Sequence, residues 1–313
     1  RYRRLNLPRA VLAGCLVALL LASFTRSLWH PPATGDLAVH FLDVGQGTST
    51  LVQLPDGKNI LIDGGGRRTE RFDPGQSLIA PFLWRQRIWR LDDLIITHPH
   101  GDHYNGIPFI FARFRPHRLI VNDDPGEEPA YGNLLDDIRR TGIPLQKVTA
   151  GDLLLQTNNL RLHCLGMPGL LDGSSWSTND RSLVFHLQYD RRSFLFPADI
   201  GFASEKRLLQ SGAPLQANVL LAPHHGSRTS AGAEFIAAIN PALIVVSAGQ
   251  RHQGTLPTPN HLGDWQQHKI LPLVTARDGT ISCRSDGNRL HVKTFTGEYW
   301  NFDEATGSFT RAR

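Results

Sequence analysis

The sequence predicts an α/β fold, a four-layer αββα sandwich of two sheets between outer helices, preceded by one transmembrane helix. Strand-like and helix-like segments alternate from Leu37 onward in two blocks of similar size, the second beginning near Asp152. Each block can supply one sheet with helices on its outer face. An uncharged apolar run from Ala10 to Phe24 stands before both blocks. We therefore expect a membrane segment with its linker at 1–34 and one globular domain at 35–313.

The N-terminal segment is expected to enter a membrane. Extended to Trp29, the run has roughly the 20 residues that a spanning helix needs, and Arg26 can reach the interface. Four arginines precede the run, which places its start in the cytoplasm and the domain in the periplasm or outside the cell. A signal peptide would give the same location, although no clean A-x-A cleavage site follows. A buried core helix is the third alternative.

The net charge of +5 belongs to this segment. Residues 1–34 contain five arginines and no acidic residue. The rest of the chain contains the other 28 of the 33 basic residues and all 28 acidic residues, whose charges balance. The domain is therefore neutral overall. Its charge does not by itself indicate a nucleic-acid-binding protein.

The elements of the domain are predicted from apolar periodicity and from turn residues. The first block contains four strands and three helices: strands Leu37–Asp43, Thr48–Leu54, Asn59–Ile62 and Asp93–Thr97, and helices Gln76–Arg87, Tyr104–Arg113 and Tyr131–Thr141. The second contains five strands and three helices: strands Leu160–Leu165, Ser182–Gln188, Arg192–Pro197, Val219–Leu221 and Leu243–Ser247, and helices Ala203–Gln210, Ala231–Ile239 and Leu262–His268. In such a sandwich, loops at one edge of the sheets would carry a site.

The segment THPHGDH at 97–103 carries the chemistry. Because residues two apart in an extended chain point to the same side, His98 and His100 can face one metal ion. Asp102 and His103 follow the bend at Gly101 and can face a second ion. Imidazole and carboxylate suit zinc, manganese or iron, and two such ions can clamp an in-line displacement at phosphorus or carbonyl. The alternative is a solvated polar loop.

The pattern H-x-H-x-D-H after an apolar strand resembles the signature of the metallo-β-lactamase superfamily. Three further segments resemble the extracellular hydrolase domain of the ComEC family of DNA-internalisation competence proteins: VHFLDVGQGTSTLVQLPDGKNILIDGGG (39–66), NDRSLVFHLQYDRRSFLFPADI (179–200) and VLLAPHHGSRTS (219–230). The resemblance covers nearly all of the chain from Leu37 to about Leu273. It implies a metallo-β-lactamase-type hydrolase domain and an upstream membrane channel domain missing from this chain.

The resemblance also implies the remaining ligands. Asp199 matches an aspartate that bridges both metal ions, although it could instead cap the following helix. His225 is expected to close the first metal site beside His224, and the order of these two histidines stays open. Asp102 and Asp63 are the predicted catalytic residues. Asp102 would bind metal and deprotonate the attacking water, and Asp63 would orient a ligand histidine.

Two departures from the family pattern bear on the second ion. Many superfamily members have a ligand histidine where this chain has Asn179, and a late Gly-His-Pro segment of some ComEC relatives is absent. The first site would have to use His225, a water or Asn179 in place of the missing histidine, and His252 could substitute for the late one. We expect two divalent ions, zinc or manganese, and three alternatives stay open for the second: weakly held, completed by solvent, or absent.

The resemblance makes the phosphodiester bonds of DNA the leading substrate. Arg67, Arg68 and Arg228 each follow a motif predicted to lie at the metal edge, so that they are the candidate substrate contacts. The alternatives are a small-substrate phosphodiesterase or esterase and a catalytically degenerate DNA-guiding module. β-Lactam hydrolysis is not expected, because a fold does not specify a substrate.

Overall fold

The computed structural model describes residues 11–20, 35–67, 69, 71–166, 176–249 and 255–312. Residues 11–20 are helical, and the rest of the predicted membrane segment lies outside the described residues. No helix within these ranges combines the length and the hydropathy needed to cross a bilayer. The transmembrane helix therefore stays a prediction.

Seventeen strands in the described ranges form two sheets. In chain order they are β1 (Leu37–Phe41), β2 (Thr50–Gln53), β3 (Asn59–Ile62), β4 (Asp93–Ile96), β5 (Arg118–Val121), β6 (Leu145–Lys147), β7 (Leu153–Gln156), β8 (Leu160–Gly166), β9 (Val184–Tyr189), β10 (Arg192–Phe196), β11 (Val219–Leu221), β12 (Leu243–Val246), β13 (Leu271–Val274), β14 (Ile281–Ser285), β15 (Leu290–Thr294), β16 (Tyr299–Asp303) and β17 (Ser308–Arg311). The first sheet has the order β17-β16-β15-β14-β1-β2-β3-β4-β5-β6, and the second β13-β12-β11-β10-β9-β8-β7.

After the helical residues 11–20, the α-helices of the described ranges are α1 (Ala80–Arg85), α2 (Gly101–Tyr104), α3 (Ile107–Phe114), α4 (Pro129–Arg140), α5 (Phe202–Gln210), α6 (Ala233–Ile239), α7 (Pro259–Gln267) and α8 (Thr275–Asp278). A π-helical turn at Gly75–Ile79 leads into α1, and 3₁₀ turns lie at Asn179–Arg181 and Pro223–Gly226.

Three apolar clusters hold the layers together. One lies between the sheets and joins residues such as Phe41 of β1 to Phe196 of β10, whose ring centroids are 6.2 Å apart. A second joins the first sheet to α3 and α4 through Ile110 and Leu134. The third joins the second sheet to α5, α6 and α7 through residues such as Phe235. The predicted architecture of two sheets with helices outside them is confirmed.

The sequence analysis missed eight of the described strands: β5, β6, β7 and β13 within the two blocks, and the four at the end of the chain. β14 pairs antiparallel with β1, and β15, β16 and β17 continue the first sheet from it. β14 and β15 alternate buried and less buried residues, as strands with one covered face do. β1 consequently lies inside the sheet, between β2 and β14.

The predicted helix Tyr104–Arg113 is two helices, α2 and α3, and α2 begins earlier than expected. The break falls at Gly106, whose backbone packs against Gly64: a Cβ atom on Gly106 would lie 2.4 Å from the Gly64 carbonyl oxygen. Only a residue without a side chain fits at position 106. The early start of α2 places Asp102 and His103 in a helical turn.

Strand direction brings the candidate site residues to one edge. β3, β4 and β5 are parallel in the first sheet, as are β10, β11 and β12 in the second. Loops that follow such strands leave at the same edge of a sheet, where ligands bind in open α/β folds. The two sheets are joined at this edge, where the Leu183 N–H donates to the Thr97 carbonyl oxygen at 3.0 Å. Hereafter we call it the metal edge.

Candidate metal centre

His98 and His100 lie on the extended segment between β4 and α2. His98 is fully buried, whereas His100 is partly exposed. Nε2 of His98 lies 3.2 Å from Nδ1 of His100. The two rings therefore direct one nitrogen each toward a common point.

Four further side chains form a compact cluster: Asp102, His103, Asp199 and His225. One ligand atom from each lies within 4.8 Å of the others. Nε2 of His103 is 3.3 Å from Asp199 Oδ1, and Nε2 of His225 is 3.3 Å from Asp199 Oδ2. Asp102 Oδ2 is 3.4 Å from Nε2 of His225. Asp199 thus turns one carboxylate oxygen toward each histidine.

Hydrogen bonds on the outer side of the cluster fix the orientation of both imidazoles. Nδ1 of His103 donates to Asp63 Oδ2 at 2.8 Å, and Nδ1 of His225 donates to the Ser247 carbonyl oxygen at 2.9 Å. Since both partners can only accept, the proton lies on Nδ1 and the Nε2 lone pair faces the cluster when the ring is neutral. This arrangement is the one that metal-binding histidines use.

The unpaired atoms of the cluster test whether a metal ion would fit. Nε2 of His103, Nε2 of His225 and Oδ1 of Asp199 are buried and make no hydrogen bond with any described residue. Buried polar atoms without partners are rare in proteins and call for an explanation. Two ligands bound at 2.0–2.1 Å to one tetrahedral ion lie about 3.3–3.4 Å apart, close to the separations found here. The residues fit a divalent metal ion.

The charges of the cluster lead to the same conclusion. Burial lowers the pKa of His225, but the Asp199 and Asp102 carboxylates outweigh it and raise the pKa to about 10. Burial also lowers the pKa of His103, but the carboxylates of Asp199 and Asp63 outweigh it and raise that pKa well above its usual value. Burial also favours a raised pKa at Asp199, yet His225 and His103 hold that pKa well below its usual range. The buried carboxylates therefore require positive charge beside them, supplied by protons or by a cation.

His225 lies beside Asp102 and Asp199. Its Nδ1 donates to the Ser247 carbonyl oxygen, and its Nε2 is 3.4 Å from Asp102 Oδ2 and 3.3 Å from Asp199 Oδ2. Its place in the first metal site, with His98 and His100, stays a prediction.

His224 and Asn179 lie together beside the cluster. Nε2 of His224 is 4.0 Å from Asp199 Oδ2 and 3.4 Å from Nδ2 of Asn179. Oδ1 of Asn179 is buried and, within the described part of the chain, has no hydrogen-bond partner. Both His224 and His225 have positive φ values, 46° and 57°, and their ring centroids are 6.1 Å apart. This turn presents the two adjacent imidazoles at separate positions near Asp199.

Two of the predicted substrate-binding arginines lie at the surface. Arg67 and Arg228 are exposed. Arg68 and His252 lie outside the described residues. The capping alternative for Asp199 does not hold, since α5 has Gly201 as its N-cap residue and the Gly201 N–H donates to Asp180.

Sequence reasoning missed the hydroxyl groups that support Asp63. Thr48 Oγ1 and Thr97 Oγ1 donate to Asp63 Oδ2 at 3.0 and 2.9 Å, and the Thr97 N–H donates to Asp63 Oδ1 at 2.8 Å. Their position in the sequence could have indicated this role, because Thr97 directly precedes His98 and Thr48 lies in the GQGTS segment. Asp63 is buried and accepts hydrogen bonds through both oxygens. It therefore orients His103 through Nδ1, the ring nitrogen that faces away from the cluster.

The Gly45-Gln46-Gly47 loop covers Asp102 on one side. Gly47 has φ +102°, and a Cβ atom there would lie 2.0 Å from the Asp102 carbonyl oxygen. Ser247 Oγ donates to the Gly47 carbonyl oxygen at 2.8 Å. Only glycine allows this backbone conformation and this approach together.

Comparison with known proteins gives the family of this fold and site. The sequence model described as the metallo-beta-lactamase superfamily matches residues 42–249. The chain belongs to this superfamily. Membership implies a metal-dependent hydrolase that binds divalent metal.

Two relatives support the ComEC resemblance. The ComE operon protein 3 of Bacillus subtilis (strain 168) is 30% identical over 266 residues, which are 82% of this chain and 34% of that protein. The competence protein ComA of Neisseria gonorrhoeae is 25% identical over 289 residues, 88% of this chain and 36% of that protein. The resemblance to the ComEC family is confirmed. The chain spans about a third of the length of these relatives.

Among solved structures, that of a variant of the β-hydroxylase CmlA is similar, with a TM-score of 0.52. It has 16% sequence identity, and the match covers 80% of this chain and 54% of that one. At this identity the similarity concerns the fold alone.

Proposed function

We propose that this chain is a membrane-tethered, extracytoplasmic phosphodiesterase that cleaves DNA in connection with DNA uptake. The observation that carries the proposal is the metal-edge cluster around Asp199. His98, His100, Asp102, His103, Asp199 and His225 are the proposed ligands, and zinc or manganese are the proposed ions. His224 and Asn179 are the neighbours best placed to complete a weaker second site.

The chain's own residues have defined tasks in this proposal. Asp63 and the Ser247 carbonyl hold the Nδ1 protons of His103 and His225, which leaves both Nε2 atoms free to bind metal. Asp102, which is 32% exposed at its side chain, is the most accessible carboxylate of the cluster and is therefore the proposed proton acceptor. Bound divalent ions supply Lewis-acid polarisation of the phosphoryl oxygen and make water a stronger nucleophile.

The choice of DNA rests on the relatives. One carries the name of a competence protein and another that of a ComE operon protein, and this family context favours a polynucleotide over a small phosphodiester. The apolar N-terminal run with its arginines supports the membrane tether, and the charge distribution supports a domain on the outer side. The relatives extend well beyond the matched segment, and the upstream channel domain rests on the family resemblance.

Phosphate contacts at the metal edge fall to Arg228 and Arg67. Both are exposed, and neither forms an ion pair with a described residue. A neutral domain offers few such contacts, so DNA binding should be weak, with a shallow dependence on salt. Arg228→Ala should raise KM for DNA more than it lowers kcat, as the loss of uniform binding does.

The proposal is tested by loading the full chain with zinc or manganese and assaying single- and double-stranded DNA, with EDTA as the control. We expect cleavage that depends on the metal and disappears with EDTA. Cleavage of small phosphodiesters with every form of DNA left intact would replace the proposal with a small-substrate phosphodiesterase. Absence of both activities in the metal-loaded protein would favour a DNA-guiding module.

A further inference from the structure

Phe202 is an exposed aromatic residue beside the metal centre. It is the first residue of α5 and follows Asp199 by three positions, yet 49% of it is accessible to solvent. Large aromatic side chains contribute most to stability when they are buried. What distinguishes this ring from other exposed aromatic residues is its place next to the metal centre, where it is accessible to a substrate.

The backbone around Phe202 is held between the two loops that carry site residues. The Phe202 N–H donates to the Thr229 carbonyl oxygen at 3.1 Å, four residues after His225. The Gly201 N–H donates to Oδ1 of Asp180, the neighbour of Asn179, at 3.2 Å. The position of Phe202 at the rim is thus fixed by the same segments that form the centre.

One side of the ring is supported. A Cβ atom on Gly232 would lie 3.4 Å from Cδ1 of Phe202, an ordinary packing distance, so that the ring lies against this glycine. Gly232 is itself held by Glu205, whose carboxylate accepts its N–H at 2.9 Å. Because the residue is about half exposed, the other side of the ring is open to solvent.

A cationic side chain lies in the loop that binds the Phe202 backbone. Arg228 is exposed and directly precedes Thr229, which binds the Phe202 backbone. Flat aromatic surfaces beside cationic side chains are the combination by which proteins bind single-stranded nucleic acid, since every base has a face that can stack.

We propose that Phe202 stacks on a base of a single-stranded DNA substrate, next to the phosphodiester at the metal edge. This inference rests on the proposed function, to which it adds a preference for unpaired bases. Phe202 would position the strand and would take no part in bond cleavage.

The test compares two oligonucleotides of equal length, one intact and one in which abasic sites replace the bases around the cleavage position. The metal-loaded full chain should have a higher kcat/KM on the intact strand by about fivefold, the low end of what base stacking on an aromatic ring contributes. In Phe202→Ala the preference should collapse toward one. Phe202→Tyr should retain it, because the flat ring remains.

Trp89→Ala is the matched control. Trp89 is also an exposed aromatic residue, 37% accessible, but it lies near the start of β4, at the edge of the sheet opposite the metal centre. The Trp89→Ala variant should keep the wild-type preference for the intact strand. An unchanged preference in Phe202→Ala, or none in the wild type, would overturn this inference while leaving a DNA phosphodiesterase in place. Failure of the wild type to cleave any DNA would overturn the proposed function itself.

Discussion

Replacing Asp63 by asparagine should weaken metal binding without any change in the proposed ligands. In the native protein Asp63 accepts four hydrogen bonds, from Thr48 Oγ1, Thr97 Oγ1, the Thr97 N–H and His103 Nδ1, at 2.8–3.0 Å. Asparagine has one accepting oxygen in place of two. In one orientation the amide NH2 of asparagine faces the Thr97 N–H, and in the other it faces His103 Nδ1. In both cases one donor faces another and a hydrogen bond is lost.

The expected magnitude follows from this conflict. If the amide faces His103, the ring is driven to the tautomer with its proton on Nε2, which cannot bind metal. Loss of such a supporting hydrogen bond weakens metal affinity by about 10–100-fold, equivalent to about 1.4–2.8 kcal/mol. Loss of bonds to a buried charge should also cost about 2–3 kcal/mol of stability in the metal-free protein. Asparagine is the suitable replacement because Asp63 has φ +61°, which asparagine tolerates.

Chelator competition measures the metal affinity, and unfolding in EDTA measures the stability of the metal-free protein. Asp43→Asn is the matched control. Asp43 lies at the same edge, but its carboxylate accepts a local hydrogen bond, from the Gly45 N–H at 3.2 Å. This variant should therefore bind metal normally. Wild-type metal affinity in Asp63→Asn would refute the positioning role of Asp63.

Three further predictions address the ligands, the pH dependence and the topology. His98→Ala should lose metal and hydrolysis while keeping the far-UV circular dichroism of the native fold; unchanged metal content on elemental analysis would remove His98 from the ligand set. Burial raises the pKa of Glu205 from 4.5 to about 7. As the pH rises from 4.5 to 7, the unfolded state therefore loses this proton before the folded state does, and the free energy of unfolding should fall by about 3 kcal/mol. Glu205→Gln should flatten that slope in denaturant titrations, and an unchanged slope would contradict the assignment. A reporter fused after Arg313 should be active only outside the cytoplasm, and a cytoplasmic signal would overturn the proposed topology.

The strands and helices around the motifs could be predicted because local pattern determines them. β3 and β11 have the predicted bounds, and most other predicted elements differ by one to three residues at an end. β14 to β17 could not be placed in this way, because their position depends on pairing with β1 across the whole length of the chain. The site motifs lie in the loops after short buried strands, where strand direction alone brings them together.

The finer structure of the centre could not be predicted. The orientation of His225 toward Asp102 depends on the hydrogen bond of its Nδ1 to the Ser247 carbonyl oxygen, and Ser247 is 22 residues away in sequence. The support of Asp63 by Thr48 likewise spans 15 residues and two strands. Such contacts arise from tertiary packing, which periodicity and spacing do not encode.

The place of β1 inside the first sheet has a consequence for biosynthesis. β1 is the first strand after the N-terminal segment, yet one of its two neighbours is β14, so that His40 pairs with Ser282. During translation β1 must wait with one edge unpaired until almost the whole chain has emerged, and pairings of such long range form slowly. A protein truncated after Leu273 would keep every proposed ligand, but it would expose that edge to pairing with other chains.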